Sequence, residues 1–212
     1  MTAAPPLAPP GRFDQELGIW IWKRPQSTFA NRPALFLDRD GVVVEDCRYL
    51  SRASDLALLP GAAGVIAQAN RLGIPVVEVT NQSGIGRGYY GWNEFVEVEE
   101  ALARELAAAG AHLDAVLACP HFPDHPARKP RPGMLLAARD LLALDLQRSW
   151  IVGDKLDDLL AGAQAGLCGG LHVLTGQGHA HRRSVADWQP LNYIVRLGDS
   201  ITDAAALLTA LE

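Results

Sequence analysis

The sequence predicts an α/β fold in which a mainly parallel sheet lies between two layers of helices. Short apolar runs typical of buried strands alternate with amphipathic segments along most of the 212 residues. The linkers between these segments are mostly short, which favours right-handed crossovers between parallel strands. The chain is long enough to bury a full hydrophobic core, and it contains no internal repeat.

The predicted elements follow one another in a regular order from residue 33. An apolar run predicts a buried strand at 34–37, and a helical pattern closed by Gly73 predicts a helix at 61–72. Further strands are predicted at 74–79, 113–118, 150–152, 171–174 and 193–195. Further helices are predicted at 92–109, at 134–142, at 157–165 and, with Ser200 as N-cap, up to residue 211.

Residues 1–32 are predicted to form an N-terminal arm, partly disordered, in front of one domain that spans 33–212. The first eleven residues are rich in Ala and Pro, which is typical of a loosely extended segment. The apolar patch that includes Trp20 and Trp22 needs cover, either on the domain surface or from a second subunit. The sequence leaves both possibilities open.

Composition and charge argue against several classes of protein. The net charge of −5 and the lack of a basic tract argue against a nucleic-acid partner. No apolar run approaches membrane-spanning length, and the N-terminus lacks the pattern of a secretory signal. The three cysteines are too few for a disulfide framework. We therefore expect a cytoplasmic monomer or weak homodimer, with neither nucleic acid nor membrane as its partner.

Two acids, Asp38 and Asp40, directly follow the first predicted strand. In open α/β sheets, ligands bind outside the carboxyl ends of the strands. Two carboxylates so close repel each other, and a bound cation or a shared proton relieves that repulsion. An ordinary loop with two solvated acids is the alternative. The segment 42–60 that follows is long for a strand-to-helix loop, and we interpret it as a flap over the two acids.

Three later strands also lead into polar residues. Thr80 precedes amide and hydroxyl side chains and alternating glycines, a spacing that suits an anion but fits no dinucleotide or Walker pattern. Arg128 and Lys129 precede a predicted helix and could contact phosphoryl oxygens. Plain polar or basic turns are the alternatives for these two motifs. Asp154 follows the fourth strand just as Asp38 follows the first.

In this order the motifs resemble the haloacid dehalogenase superfamily of phosphatases. They read D-x-D-G, T-N-Q-S-G, R-K-P-x-P-G-M and G-D-K-x-x-D. The stretches FLDRDGVV, VTNQSGIGRG and RKPRPGM are similar, more narrowly, to the D-glycero-D-manno-heptose 1,7-bisphosphate phosphatase family and to the related histidinol-phosphate phosphatase family. The resemblance covers residues 33–175 and implies a three-layer α/β/α Rossmann-like fold. We also expect no large cap domain, because no sizeable insertion separates the motifs.

The resemblance implies a Mg²⁺-dependent phosphomonoesterase that works through an aspartyl-phosphate on a small phosphorylated substrate such as a sugar phosphate. It implies Asp38 as the nucleophile and Asp40 as the acid/base, with Thr80 and Lys129 on the transferring phosphoryl oxygens. The implied Mg²⁺ ligands are Asp38, the main-chain carbonyl of Asp40, and Asp154. The positions where the family contacts substrate are Asp46, Cys47, Arg48, Tyr49, Asn81, Gln82, Ser83 and Arg128, and Lys155 fits there too.

Several charged residues near these motifs have plainer interpretations. Asp158 is expected only to stabilise the start of a helix, as Asp157 would. Arg39 is expected to point away from the two acids beside it, because alternate residues face opposite sides of a strand. His179 and His181, close to two arginines, are interpreted as part of a solvated turn.

A structural zinc ion is not expected. Members of the family with such a zinc carry two further cysteines in the loop that follows Cys-Pro-His. Here the loop runs from Cys119 to Arg128 without them. Cys119, His121 and His125 could supply three ligands, whereas a structural zinc site normally has four.

Two other functions stay open for this sequence. Histidinol phosphate or another small phosphate ester could be the substrate of the same chemistry. A catalytically idle module that binds a phosphorylated ligand is the alternative of another class. The presence of Asp40 argues against the idle module, because a protein that only binds has no need of an acid/base there.

Overall fold

The computed structural model describes residues 11–25 and 27–211. Its strands are β1 (Arg12–Asp14), β2 (Ile19–Lys23), β3 (Leu35–Leu37), β4 (Val76–Asn81), β5 (Ala115–Cys119), β6 (Trp150–Gly153), β7 (Gly169–His172) and β8 (Ile194–Leu197). They form one sheet in the order β1-β2-β5-β4-β3-β6-β7-β8. The neighbours from β5 to β8 are parallel, whereas β2 is antiparallel to both β1 and β5. The predicted mainly parallel sheet is confirmed.

Helices cover both faces of this sheet. They are α1 (Ala62–Arg71), α2 (Ser83–Gly86), α3 (Trp92–Ala108), α4 (Gly133–Leu142), α5 (Leu156–Ala165), α6 (Gly178–Asp187) and α7 (Ala205–Leu211). Short 3₁₀ turns lie at Ala53–Asp55, Leu146–Arg148 and Ile201–Ala204. Along β3, Leu35 and Leu37 join a core cluster with α1, α3 and α7, and Phe36 joins the opposite cluster with α4 and α5. This alternation makes the three-layer arrangement.

β3 lies at the centre of the sheet, between β4 and β6. Its three residues are fully buried, which explains why the strand reads as an unbroken apolar run. The chain leaves this buried strand directly at Asp38. The first acid of the D-x-D-G motif is therefore held by the most buried part of the fold.

The predicted N-terminal arm contributes two strands to the sheet. β2 pairs with β5 from Trp20 to Lys23, and Ile19 and Trp20 are buried in the core. Trp20 is 5 % exposed and packs edge-on against Phe95 of α3, with ring centroids 5.2 Å apart. The apolar patch is covered within the chain itself. Residues 1–10, which include most of the segment predicted to be extended, lie outside the described residues.

Several parts of the chain differ from the predicted elements. The strands predicted at 74–79 and 113–118 each begin two residues later, as β4 and β5. The segment with His179 and His181 is not a turn but helix α6, whose few apolar positions include the buried Val185. The strand predicted at 171–174 begins two residues earlier, as β7. Between β3 and α1, the described chain forms only a long loop with one 3₁₀ turn, so no cap domain is inserted there. None of the described helices is long and apolar enough to cross a membrane.

Candidate active site

The candidate site lies at the carboxyl ends of β3, β4 and β6, around a cavity of about 640 Å³. Asp38 directly follows β3, and its N–H donates to the carbonyl of Val152 on β6 at 3.0 Å. Thr80 belongs to β4, and Asp154 directly follows β6. Because parallel neighbours end at the same edge, the three side chains meet there. The cavity is lined by Asp38, Asp40, Asp46, Arg48, Tyr49, Thr80, Asn81, Ser83, Arg128, Lys129, Lys155, Asp157, Asp158, Gly176 and Gln177.

Lys129 joins two buried carboxylates in this cavity. Its Nζ lies 2.9 Å from Asp38 Oδ1 and 2.7 Å from Asp158 Oδ1, and it donates to the carbonyl of Val79 at 2.7 Å. Burial opposes the charge of the lysine, but the Asp158 and Asp38 carboxylates outweigh that effect and raise its pKa. Burial likewise opposes the charge of Asp38, yet the nearby lysines lower its pKa. Both groups are therefore charged at neutral pH.

Three carboxylates form a compact cluster, with oxygens of Asp38, Asp154 and Asp158 all within 4.8 Å of one another. Asp154 is fully buried, and its Oδ2 accepts from the N–H of Gln177 at 2.7 Å. Its Oδ1 has no hydrogen-bond partner, and Lys155 Nζ lies 3.5 Å away. Burial and then the Asp38 and Asp158 carboxylates raise the pKa of Asp154 to about 7.

This environment fits Mg²⁺. Carboxylate oxygens are the hard ligands that the ion prefers, and a divalent cation would neutralise an unpaired acid oxygen held among like charges. In the described ranges, no other group of three or more acidic, histidine or cysteine side chains is close enough together to hold a metal ion. The side chain of Asp40 lies outside the cluster. Asp158, expected only to stabilise a helix, lies inside it and also accepts from the N–H of Lys155 at 3.0 Å.

The Asp40 carboxylate borders the cavity, with 18 % of its side chain exposed. Its Oδ2 accepts from Gln82 Nε2 and from Arg39 Nη2, both at 3.0 Å. The expectation that Arg39 points away from both acids is wrong for Asp40. The arginine side chain is long enough to fold back beneath the loop, where it is completely buried.

The loop after β4 is fixed by amide hydrogen bonds. Asn81 Nδ2 donates to the carbonyl of Lys129 at 3.0 Å, and the N–H of Lys129 donates to Asn81 Oδ1 at 3.1 Å. This reciprocal pair of hydrogen bonds links the T-N-Q-S-G motif to the R-K-P-x-P-G-M motif. Gln82, predicted to contact substrate, is 3 % exposed, lies outside the cavity lining and donates to Thr80 Oγ1 at 2.8 Å. Its Nε2 also donates to Asp40 Oδ2, so one amide group holds the side chains of both Thr80 and Asp40.

The predicted flap brings some of its polar residues to the cavity. Asp46, Arg48 and Tyr49 line it, and Asp46 Oδ2 accepts from Gln177 Nε2 at 2.8 Å. Arg48 has a left-handed backbone with φ of +70°, and its N–H donates to Asp46 Oδ1 at 2.8 Å. The structure does not bring Cys47 to the site. It is exposed and outside the lining, because the turn at this point directs it elsewhere.

Two more cations stand at the cavity wall. Arg128 Nη1 donates to the carbonyl of His121 at 3.1 Å, which fixes one edge of the guanidinium. The side chain of Lys155 is 27 % exposed. Burial opposes its charge, but the carboxylates of Asp38 and Asp154 raise its pKa. The cavity wall therefore carries positive charge beside the acid cluster.

Cys119, His121 and His125 do not form a metal-binding group among the described residues. His121 Nε2 lies 2.7 Å from the carbonyl of Gly18 in the hairpin of β1 and β2, and its ring stacks on His125 with centroids 3.8 Å apart. His125 Nδ1 accepts from the N–H of Ala127 at 3.2 Å. The loop is thus held by contacts with the hairpin and within itself. The absence of zinc stays a prediction.

Four residues that line the cavity were not predicted as site residues: Asp157, Asp158, Gly176 and Gln177. The G-D-K-x-x-D motif ends in Asp158, so a signal for that residue was present but was assigned to the helix start. Gln177 lies in the loop between β7 and α6 and belongs to none of the motifs. No signal in the sequence indicated that its backbone contacts Asp154 and its side chain contacts Asp46.

Comparison with known proteins identifies the family. The family model for haloacid dehalogenase-like hydrolases matches residues 13–166, most of the chain. The chain belongs to this family. The resemblance inferred from the motifs is therefore confirmed, and the match begins inside β1 rather than at residue 33.

The chain is similar to several proteins that are named as phosphatases. The D-glycero-beta-D-manno-heptose-1,7-bisphosphate 7-phosphatase of Mesorhizobium japonicum is 47 % identical over 194 residues, which cover 87 % of this chain and 88 % of that protein. A HAD-like phosphatase from Mesorhizobium loti superposes with a TM-score of 0.81 at 42 % identity, covering 94 % of this chain and 96 % of that one. The D,D-heptose 1,7-bisphosphate phosphatase of B. bronchiseptica, complexed with magnesium and phosphate, superposes with a TM-score of 0.77 at 33 % identity, covering 84 % and 98 %.

Proposed function

We propose that the protein is a Mg²⁺-dependent phosphomonoesterase that removes the 7-phosphate of D-glycero-β-D-manno-heptose 1,7-bisphosphate. The observation that carries this proposal is the cluster of Asp38, Asp154 and Asp158, with Lys129 bound to two of its members. The substrate is supported by the 47 % identical relative that bears this activity in its name. Hydrolysis of a phosphate ester needs a nucleophile, an acid/base and positive charge at one place, and the residues of the cavity supply all three.

In the first step, a carboxylate oxygen of Asp38 attacks phosphorus and the bond between phosphorus and the sugar oxygen breaks. Asp40, protonated at that moment, gives its proton to the departing alkoxide. In the second step, Asp40 takes a proton from water, which attacks the aspartyl-phosphate. The bond between phosphorus and Asp38 breaks, so inorganic phosphate leaves and the carboxylate is restored.

Lys129 and Thr80 hold the oxygens of the transferring phosphoryl group in this proposal. Support comes from the position of Lys129 Nζ, 2.9 Å from Asp38 Oδ1, where it can also reach a group bonded to that carboxylate. Asp38, the main-chain carbonyl of Asp40, and Asp154 would hold Mg²⁺, with Asp158 beside them. When bound, the ion screens the repulsion between the anionic nucleophile and the phosphate.

The sugar and its remaining phosphate are proposed to lie toward the mouth of the cavity. Arg48, Arg128 and Lys155 line the cavity, and Tyr49 offers an aromatic face with a hydroxyl. Guanidinium groups suit phosphate because they donate two parallel hydrogen bonds. The acids Asp46 and Asp157, which also line the cavity, could accept from sugar hydroxyls. All the predicted substrate contacts except Cys47 and Gln82 line this space.

We also propose that the protein works in the cytoplasm as a monomer or weak homodimer without nucleic-acid or membrane partners. The net charge of −5 supports the absence of a nucleic-acid partner. The three cysteines are free, which suits a reducing compartment. Light scattering on the eluate of a sizing column, over a range of protein concentrations, tests the oligomeric state. A stable dimer at low concentration, or any larger stable assembly, would contradict it.

The experiment that tests the function measures phosphate release with Mg²⁺ from a panel of esters. We expect the heptose 1,7-bisphosphate to give the highest kcat/KM, ahead of histidinol phosphate, hexose phosphates and nucleotides. Omission of Mg²⁺ with a chelator present should abolish release. A higher kcat/KM for histidinol phosphate would identify that ester as the substrate instead. Binding of the bisphosphate without release of phosphate from any ester would favour the idle module.

A further inference from the structure

Three ionisable side chains are buried beneath the Asp40 carboxylate. Arg39 and Glu78 are fully buried, and Glu99 is 9 % exposed. They come from three separate parts of the chain: the loop after β3, the strand β4 and the helix α3. Charged residues are almost never buried unless they are paired, so this group calls for a physical reason.

The Arg39 guanidinium is held on every side. Its Nη2 donates to both oxygens of Asp40, at 3.1 Å and 3.0 Å, and its Nε donates to Asp40 Oδ1 at 3.3 Å. Its Nη1 donates to Glu99 Oε1 at 2.8 Å. The Phe95 ring packs over it with the centroid 5.5 Å away. Because the guanidinium is planar, fixing Nη1 on Glu99 also fixes the edge that faces Asp40.

Glu99 is the only acid besides Asp40 that forms an ion pair with Arg39 in the described parts of the chain. It lies on the buried face of α3 among Phe95, Val98 and Leu102, where the helical pattern would place an apolar residue. Glu78 packs nearby, and neither of its oxygens has a hydrogen-bond partner. Burial and the negative charge of Glu99 raise the pKa of Glu78 well above its ordinary value. Of the two glutamates, Glu99 is the one that accepts a hydrogen bond from Arg39.

We propose that Glu99 is a positioning residue for the acid/base Asp40 and acts through Arg39. This inference rests on the proposed function of Asp40. A general acid must present its proton along one direction, toward the leaving oxygen, and a freely rotating carboxylate spends little time there. Arg39 on one side and Gln82 Nε2 on the other hold both Asp40 oxygens. Glu99 keeps the arginine in the orientation that makes this possible.

The test compares two substitutions of Glu99 on two substrates. Glu99→Ala removes the contact with Nη1, whereas Glu99→Gln retains an oxygen of the same reach. The substrates are the heptose bisphosphate, whose alkoxide needs a proton to leave, and p-nitrophenyl phosphate, whose phenolate leaves without one. Single-turnover reactions with Mg²⁺ isolate the first step. Glu97→Ala, an exposed position on the same helix, is the control for loss of charge.

We expect Glu99→Ala to slow the sugar ester by roughly tenfold or more, a part of what a general acid contributes, with KM nearly unchanged. The loss on p-nitrophenyl phosphate should be several-fold smaller, and Glu99→Gln should restore most of the rate. Glu97→Ala should behave as the parent protein. Equal losses on both substrates, no loss in Glu99→Ala, or no rescue by Glu99→Gln would each overturn the proposal.

A second variant covers the case in which Glu99→Ala does not fold. Arg39→Met combined with Glu99→Leu replaces the buried pair by apolar groups, an exchange that proteins often tolerate. The folded double variant should show the same selective loss on the sugar ester, and full activity would overturn the proposal. A parent protein that releases no phosphate from either ester would instead remove the proposed function, and the role of Glu99 with it.

Discussion

Because Asp38 and Asp40 have different proposed roles, their asparagine variants should differ in activity. Asp38→Asn should abolish turnover, because an amide cannot form the covalent bond to phosphorus. Asp40→Asn should lower kcat by about 10²–10⁴-fold, because proton transfer is lost while the nucleophile remains. Phosphate release measures both rates, and calorimetry with the bisphosphate and Mg²⁺ should find binding largely retained in Asp40→Asn. Normal turnover in Asp38→Asn would remove the nucleophile assignment.

The strand-end acids could be predicted because their position follows from chain order alone. Asp38, Asp40 and Asp154 stand directly after apolar runs, and parallel strands end at one edge. The role of Arg39 could not be predicted this way. Its partners, Asp40 and Glu99, depend on how a long side chain folds back under a loop, and strand alternation does not describe that.

Lys129 should be as important for stability as for activity. Lys129→Met leaves Asp38 and Asp158 buried together without the lysine that contacts both, and removal of one partner of a buried ion pair costs about 3–5 kcal/mol. Urea unfolding measures this loss. Lys155→Met, which removes a partly exposed lysine near the same acids, should cost less. Equal stability of Lys129→Met and the parent would show that the acids are not charged together.

The loss of stability caused by Lys129→Met should be larger at neutral pH than in acid. The Asp38 pKa is lowered from 3.8 in the folded protein, so its pairing stabilises the fold above that pH and is lost as the pH falls through the folded value. In the variant, the same acids take up protons more readily as the pH falls, which relieves their repulsion. The difference in unfolding free energy between variant and parent should therefore be largest at neutral pH and shrink in acid.

At the scale of elements, Gln177 connects the loop after β7 to the flap. Its N–H contacts Asp154, and its side chain contacts Asp46. Gln177→Ala keeps the backbone contact and loses only the flap contact, so we expect KM to rise several-fold while kcat changes little. Steady-state kinetics on the bisphosphate tests this. Gln164→Ala, which removes a surface contact with Pro130, serves as the control. An unchanged KM, or a fall confined to kcat, would contradict a role in holding the flap.

The loop that begins at Cys119 should need no zinc. His121 contacts the carbonyl of Gly18 and stacks on His125, so the hairpin supports the loop where a fourth ligand is missing. Elemental analysis of protein purified without chelators should find no stoichiometric zinc. Incubation with a zinc chelator should leave the thermal unfolding midpoint unchanged. One zinc ion per chain, or a lower midpoint after chelation, would contradict this prediction.

Elements with a strong local pattern were predicted, and those defined by distant contacts were not. The helix at α3 has apolar residues at helical spacing on its buried face, and its prediction is confirmed. Helix α6 is mostly polar, and it buries little more than Val185, so the sequence carries little periodicity to indicate it. The strand β2 is an apolar run whose partner β5 lies far along the chain, and nothing near it in sequence identifies that partner.

For the whole molecule, we propose that the hairpin of β1 and β2 is part of the folding unit. β2 covers the edge of β5, a strand that is buried along its whole length. The connection beyond the hairpin also joins the domain, since Ser27 Oγ donates to Asp114 Oδ1 at 3.1 Å and the N–H of Phe29 donates to the carbonyl of Leu142 at 3.0 Å. The boundary at residue 33 predicted from the sequence therefore lies inside a network of contacts.

Removal of residues 1–32 should destabilise the protein and expose an aggregation-prone strand edge. The truncation leaves β5 without its antiparallel neighbour and Phe95 without Trp20.

Trp20→Ala tests the same contact in the full chain, with an expected loss of about 3–5 kcal/mol in the free energy of unfolding for a large buried aromatic. Leu17→Ala, at a site 41 % exposed, should change stability little. Because no residue of the hairpin lines the catalytic cavity, the folded fraction should keep the KM of the parent. A soluble 33–212 fragment with the stability of the full chain would instead establish residue 33 as the domain boundary.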